Sequence, residues 1–150
     1  MALTVTACGS PNPTASSAVS PTPAGTQALV ALVHVYHDKY VAARGDGYSY
    51  CVAGGIDLSK CGDRGTAMIA VWEQFLTDLN STPVPAKFAA DMKTVLDQLP
   101  MGINDLKVMV AAAKAGDTSA MLDAANAYVS DMVPTVTRAL GDIYAPWATE

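Results

Sequence analysis

The stretch AKFAADMKTVLDQLPMGINDLKVMVAAAKA, residues 86–115, decides the fold class. Its apolar residues Phe88, Met92, Val95, Leu99, Ile103, Leu106, Val110 and Ala113 recur at steps of three and four, the period of one helix face. The register runs unbroken through Pro100. A proline that ended the helix would reset the phase, because it has no N–H and its ring crowds the carbonyl four residues earlier. The pattern therefore predicts one long helix kinked at Pro100, with Gly102 easing the bend. The competing arrangement is two short helices joined at Leu99-Pro100-Met101-Gly102.

Working outward, AGDTSAM (residues 115–121) reads as a turn and a new start, with Asp117 or Thr118 as the cap. The helix after it carries Met121, Leu122, Ala125, Tyr128, Val129, Met132, Val136 and Leu140, with a bend expected near Pro134. Toward the N-terminus, DRGTAMIAVWEQFLTDLNSTP (residues 63–83) places Met68, Ile69, Trp72, Phe75, Leu76 and Leu79 on one face and closes at Asn80–Pro83. Before that, residues 26–47 place Leu29, Leu32, Val33, Tyr36, Tyr40 and Ala43 together and end at Gly45 and Gly47. Four amphipathic segments without strand-like alternation predict an all-α domain over residues 26–150, an up-down four-helix bundle.

The chain has three cysteines. Cys51 and Cys61 lie in YCVAGGIDLSKCGDRG, a glycine-rich connection between the first two helical patterns. Paired, they would staple that loop, and closing about ten residues contributes roughly 2.8 kcal/mol in the chain-entropy account. The alternatives are a metal pair lacking two ligands, or two unrelated thiols. An odd count leaves Cys8 to be explained.

Val5-Thr6-Ala7-Cys8-Gly9 resembles the lipobox of bacterial lipoproteins: an aliphatic residue, two small residues, then the cysteine. The resemblance implies a thiol joined to diacylglycerol, palmitate being a typical chain of such anchors, and a signal peptidase that cuts just before Cys8. It also implies a protein held at the cell membrane on the extracytoplasmic side. Residues 1–7 are then the remnant of a signal peptide, with Leu3 near the end of its apolar region. Because no basic residue precedes Cys8, the true start is expected upstream. Residues 8–25 read as the acylated cysteine and a disordered Ser/Thr/Pro-rich tether, spanning roughly 20 Å as a coil and about 50 Å as polyproline. Two acyl chains suffice for stable anchoring where one is marginal.

Composition narrows the partners. A net charge of −5 with only 15% charged residues opposes phosphate neutralisation, so no nucleic acid is expected, and it equally opposes electrostatic adsorption on anionic lipid. The longest apolar run, ALVALVHVY (residues 28–36), is broken by His34 and falls short of the ~18 residues a membrane span requires.

Few residues carry chemistry. His34 and His37 stand three apart on the first helix with Asp38 in reach, half of a zinc or copper site, or axial ligands for haem with a methionine. The bland alternative is a pair of boundary histidines bonded to neighbours. Met68, Met92, Met121 and Met132 fall on core stripes as flexible filler, whereas Met101 and Met109 sit off the clearest stripe. Tyr48 and Tyr50 belong to the stapled loop; either they form a preorganised binding surface or they cap the end of the bundle. In Arg44-Gly45-Asp46 the glycine is explained by helix termination. Glu73, Asp78, Asp91, Asp97, Asp105, Asp123 and Asp131 spread along polar faces. No GxSxG, SxxK or phosphate-loop arrangement occurs, so no catalytic motif is found and an envelope hydrolase has no motif behind it. The expectation is a non-enzymatic, cofactor-free binding module for an envelope protein or small ligand. The alternative is a metal- or haem-binding bundle using His34 and His37.

Overall fold

The computed structural model describes residues 24–45, 51 and 56–150. Among them the secondary structure is helical, without a strand: α1 (Ala24–Arg44), α2 (Leu58–Asn80), α3 (Ala89–Ala115), α4 (Thr118–Ala127) and α5 (Val133–Gly141). A 3₁₀ turn (Ala86–Phe88) leads into α3, a π turn (Tyr128–Met132) joins α4 to α5, and a second 3₁₀ turn (Ala145–Thr149) follows α5. α1 packs on α2, α2 on α3, and α3 on the continuous α4–π–α5 helix, so there are four helical rods in all. The face predicted for each is the face buried or half-buried, except that Val129 of the last stripe is exposed. Leu29, Val33, Tyr36 and Tyr40 from α1 meet Met68, Trp72, Phe75 and Leu79 from α2 in one core with Met92, Val95, Leu99 and Leu106.

α3 runs unbroken through Pro100. The missing N–H frees the carbonyl of Leu96, and both residues are exposed, so water can take the bond a buried helix would have lost. Its end is a Schellman motif. Gly116, at φ +74°, donates to the Ala113 carbonyl (3.2 Å), and Asp117 N–H reaches back to Ala112 (3.0 Å). Asp117 then caps α4, its side chain accepting from Ala120 N–H at 3.0 Å. One residue thus ends one helix bond network and begins the next.

Three readings need correction. First, α2 begins five residues before the predicted Asp63: Asp57 caps it by accepting from Lys60 N–H (3.1 Å), so Cys61 lies in the helix rather than in a loop. Gly62 and Gly65 do not break it. A Cβ on Gly65 would stand 2.5 Å from Met109 Cε and 2.6 Å from Val110 Cγ2, so the missing side chain admits α3. That approach buries Met109, which its spacing had set off the stripe; Met101 stays exposed.

Second, the last helix is not α-helical throughout: a π turn (Tyr128–Met132) interrupts it just before Pro134. Tyr128, Met132, Val136 and Leu140 are all buried at steps of four. On an α-helix such steps drift by about 40° each, and a wider i→i+5 turn takes up the drift. Pro134 then falls at the start of α5, where its missing N–H is tolerated. Third, Phe88 belongs to the 3₁₀ turn, half-buried, ahead of α3.

The glycine contacts predict opposite outcomes for two similar changes. Gly65→Ala is expected to destabilise by about 1–2 kcal/mol, overpacking outweighing the gain in helix propensity. Gly62→Ala would only touch Ala113 Cβ at an ordinary 3.6 Å. It should stabilise by up to about 1 kcal/mol. Urea unfolding of both checks this, and stabilisation by both would mean that α2 and α3 stand further apart.

Candidate functional site

His34, His37 and Asp38 share the outer edge of α1, as their spacing requires. Asp38 joins the two rings: His34 Nε2 lies 3.5 Å from Oδ2, and His37 Nδ1 lies 3.2 Å from Oδ1. Beyond that the rings part company. His34, half exposed, stacks on Tyr144 with centroids 4.5 Å apart. His37, 14% exposed, turns its edge to Trp147 (5.1 Å) and places Nε2 3.5 Å from Glu150 Oε1. Glu150 is held in turn by Arg44, whose Nη2 is 2.6 Å from Oε2. The imidazoles address different oxygens of one carboxylate. Among the described residues no group of three or more His, Cys, Asp or Glu is arranged to hold a metal ion. The geometry is that of an aromatic and ionic seam between α1 and the C-terminal turn.

The anchor of that seam is Trp147, which the sequence reading passed over together with Tyr144, and Glu150. Fully buried, its indole N–H donates to the Val33 carbonyl at 3.0 Å. Its ring stacks on Trp72 (5.6 Å) and tilts against Tyr40 (5.3 Å). Trp72 N–H in turn donates to Tyr128 Oη at 2.9 Å. Tyr40 also hydrogen-bonds Tyr128, and burial pushes its phenol up. The signal that was available is a tryptophan in APWATE, just past a helix, since a ring of that size with one donor is seldom left in water.

A second junction holds α1 to α2. Tyr36 donates to Asp78 at 2.5 Å while Lys39 sits over the Tyr36 ring. Burial, then the Asp78 bond, pushes Tyr36 up to about 12. The same hydrogen bond, then one from Gln74, holds the Asp78 carboxyl below its usual range. Other carboxylates behave as solvated faces: Glu73 pairs with Lys107 (2.7 Å) and Asp97 with Lys93 (2.5 Å). Asp105 is pushed up by burial and then by Asp131.

Cys51 and Cys61 are bonded, with Cα atoms 5.6 Å apart and both side chains buried. Next to them Arg64 lays its guanidinium on the end of α1, 3.4 Å from the Ala43 carbonyl, beside Gly45 at φ +55°. Gly45 of the Arg-Gly-Asp tripeptide is therefore a helix terminator, as its position predicts. Tyr48 and Tyr50 lie outside the described residues, as does Cys8. The surface hollows are open and mix both signs of charge, one lined by Lys60, Asp63 and Arg64, another by Asp91, Arg138 and Asp142.

Against known proteins the result is short. The chain matches no family model, no curated protein and no solved structure.

Proposed function

We propose that this chain is a bacterial lipoprotein: a non-enzymatic binding module, anchored through Cys8 at the cell membrane on the extracytoplasmic side and folded as an up-down four-helix bundle. The observation that carries this is Val5-Thr6-Ala7-Cys8 followed by a Ser/Pro/Thr-rich stretch. Three further features support it. Residues 8–25, the expected acylated cysteine and tether, carry no charge and no periodic apolar face. The Cys51–Cys61 bond suits an oxidising compartment. Among the described residues no helix is long and apolar enough to cross a membrane, which is compatible with a lipid anchor.

On this reading the partner, an envelope protein or a small ligand, meets the end of the bundle farthest from the anchor, where Tyr48 and Tyr50 precede Cys51. A metal- or haem-binding role for His34 and His37 has Asp38 within reach of both rings, but His37 lies edge-on to buried Trp147 with its Nε2 turned toward Glu150, away from His34. Cys8→Ser is expected to move the protein almost entirely from the membrane fraction of its host to the soluble fraction. Fractionation with mass spectrometry of the N-terminal peptide checks this. An unmodified Cys8, or an unchanged distribution in the variant, would overturn the anchor.

A further inference from the structure

Charge is distributed unevenly over the molecule, and the uneven end is the one from which the tether leaves. A Cβ placed on Gly25 would lie 3.8 Å from Pro83 Cβ and 4.0 Å from Pro85 Cγ, so the start of α1 and the α2–α3 connection form one tip. Residues 24–33 carry no charge, and residues 79–90 carry one cation, Lys87, and no carboxylate, although the chain has 14 acidic residues. Much of this surface is bare carbon. Ala28 and Ala31 on α1, and Val84, Ala86 and Ala89 on the connection and α3, are all exposed. Lys87 lies with its ammonium 4.5 Å from the centroid of the Phe88 ring, an aliphatic stem on an apolar base with a cationic head.

We propose that this tip docks on the bilayer that holds Cys8. The inference rests on the anchored reading above. The net charge of −5 opposes adsorption of the whole protein from solution. A tether changes the terms: residues 9–23 keep the tip within roughly 20–45 Å of the headgroups, so a weak contact forms at an effective concentration near millimolar. Val84 and the alanines then enter the headgroup boundary, where buried apolar area sets the strength of binding, and Lys87 extends to a lipid phosphate. Asp91, in the first turn of α3 two residues past Ala89, and Asp142, which lines a hollow with it, limit how deep the tip can sit, and the bundle stands upright with the Gly116-Asp117 turn and the Cys51–Cys61 end outermost.

The test bypasses cellular acylation. With Cys51 and Cys61 bonded to each other, Cys8 is the remaining thiol. The full chain is coupled through it to phosphatidylcholine vesicles bearing a maleimide lipid. Val84→Trp places a reporter at the tip, and Ser119→Trp, exposed beside the opposite turn, is the control; Trp72 and Trp147 are buried in both. On coupling, the Val84→Trp emission is expected to shift to the blue, and brominated acyl chains should quench it at least twofold more than the Ser119→Trp emission. Equal quenching at the two positions would overturn the docking. Docking on coupled vesicles together with an unmodified Cys8 in the host would sink the anchored reading and leave the tip's affinity for lipid standing.

Discussion

Trp147→Ala is expected to cost the domain about 3–5 kcal/mol, the range for removing a fully buried aromatic side chain. The residue closes the side of α1 that α2 leaves open. Its indole fills the space between Val33, His37 and Tyr40 on α1 and Trp72 on α2, and it is one end of a cluster of buried rings that continues through Trp72 to Phe75 and Tyr36. The cavity left by alanine would be bounded by rigid rings on helices pinned elsewhere, so it could not collapse readily. Val33's carbonyl would not be orphaned, because its place in α1 provides a helical partner, so the loss is one of packing more than of hydrogen bonding.

Two comparisons make the claim specific. Trp147→Phe keeps a ring but loses the donor, and about 1–2 kcal/mol is expected, one neutral hydrogen bond plus a small void. Glu150→Gln weakens the ion pair with Arg44 while leaving the ring in place, and a change of about 0.5–1 kcal/mol is expected for a partly exposed bridge. Urea unfolding followed by circular dichroism gives all three values, and the near-ultraviolet band from the Trp72–Trp147 stack should vanish with the first. A loss below about 1 kcal/mol for Trp147→Ala would mean that the C-terminal turn is not part of the core.

How much of this could be read beforehand follows from which forces act locally. The register of α3 through Pro100, the Gly116-Asp117 reversal and the stripes of α1 and α2 are set by neighbours three and four residues away, and all were legible. The start of α2 was not. Gly62 and Gly65 suggest a loop by their own propensity, yet they are placed where α3 comes close, and a glycine chosen for close approach looks the same in sequence as one chosen for a turn. Met109 was misplaced for the same reason, since its burial depends on the side chain that Gly65 lacks. The π turn was hidden because steps of four appear in any α stripe, and only a run of them betrays a drift. Around the histidines, Asp38 was found from spacing. Glu150, Tyr144 and Trp147 reach α1 from more than a hundred residues away, which no periodicity records.

The other large loss is expected at Cys51–Cys61. The bond joins positions 10 apart, for which the chain-entropy account gives about 2.8 kcal/mol. It ties the chain just beyond α1 to the first turn of α2, beside the point where Arg64 crosses to the last carbonyls of α1. Because both sulfurs sit in the core cluster, the cross-link and the packing fail together when the pair is removed. Cys51→Ala with Cys61→Ala, in a Cys8→Ser background that prevents mispairing, should lower the thermal midpoint by about 10 °C. The Cys8→Ser parent should show nearly the same fall on reduction, and the alanine pair should ignore reductant altogether. Were the parent's midpoint unmoved by reductant, the two thiols would be unlinked, and a fall produced by a chelator instead would return them to the role of metal ligands. The expected pattern bears on location as well as stability. A domain that depends on this bond for a few kcal/mol keeps its stability only where thiols stay oxidised, and that condition is met outside the cytoplasm, on the side of the membrane where a lipid on Cys8 would hold it.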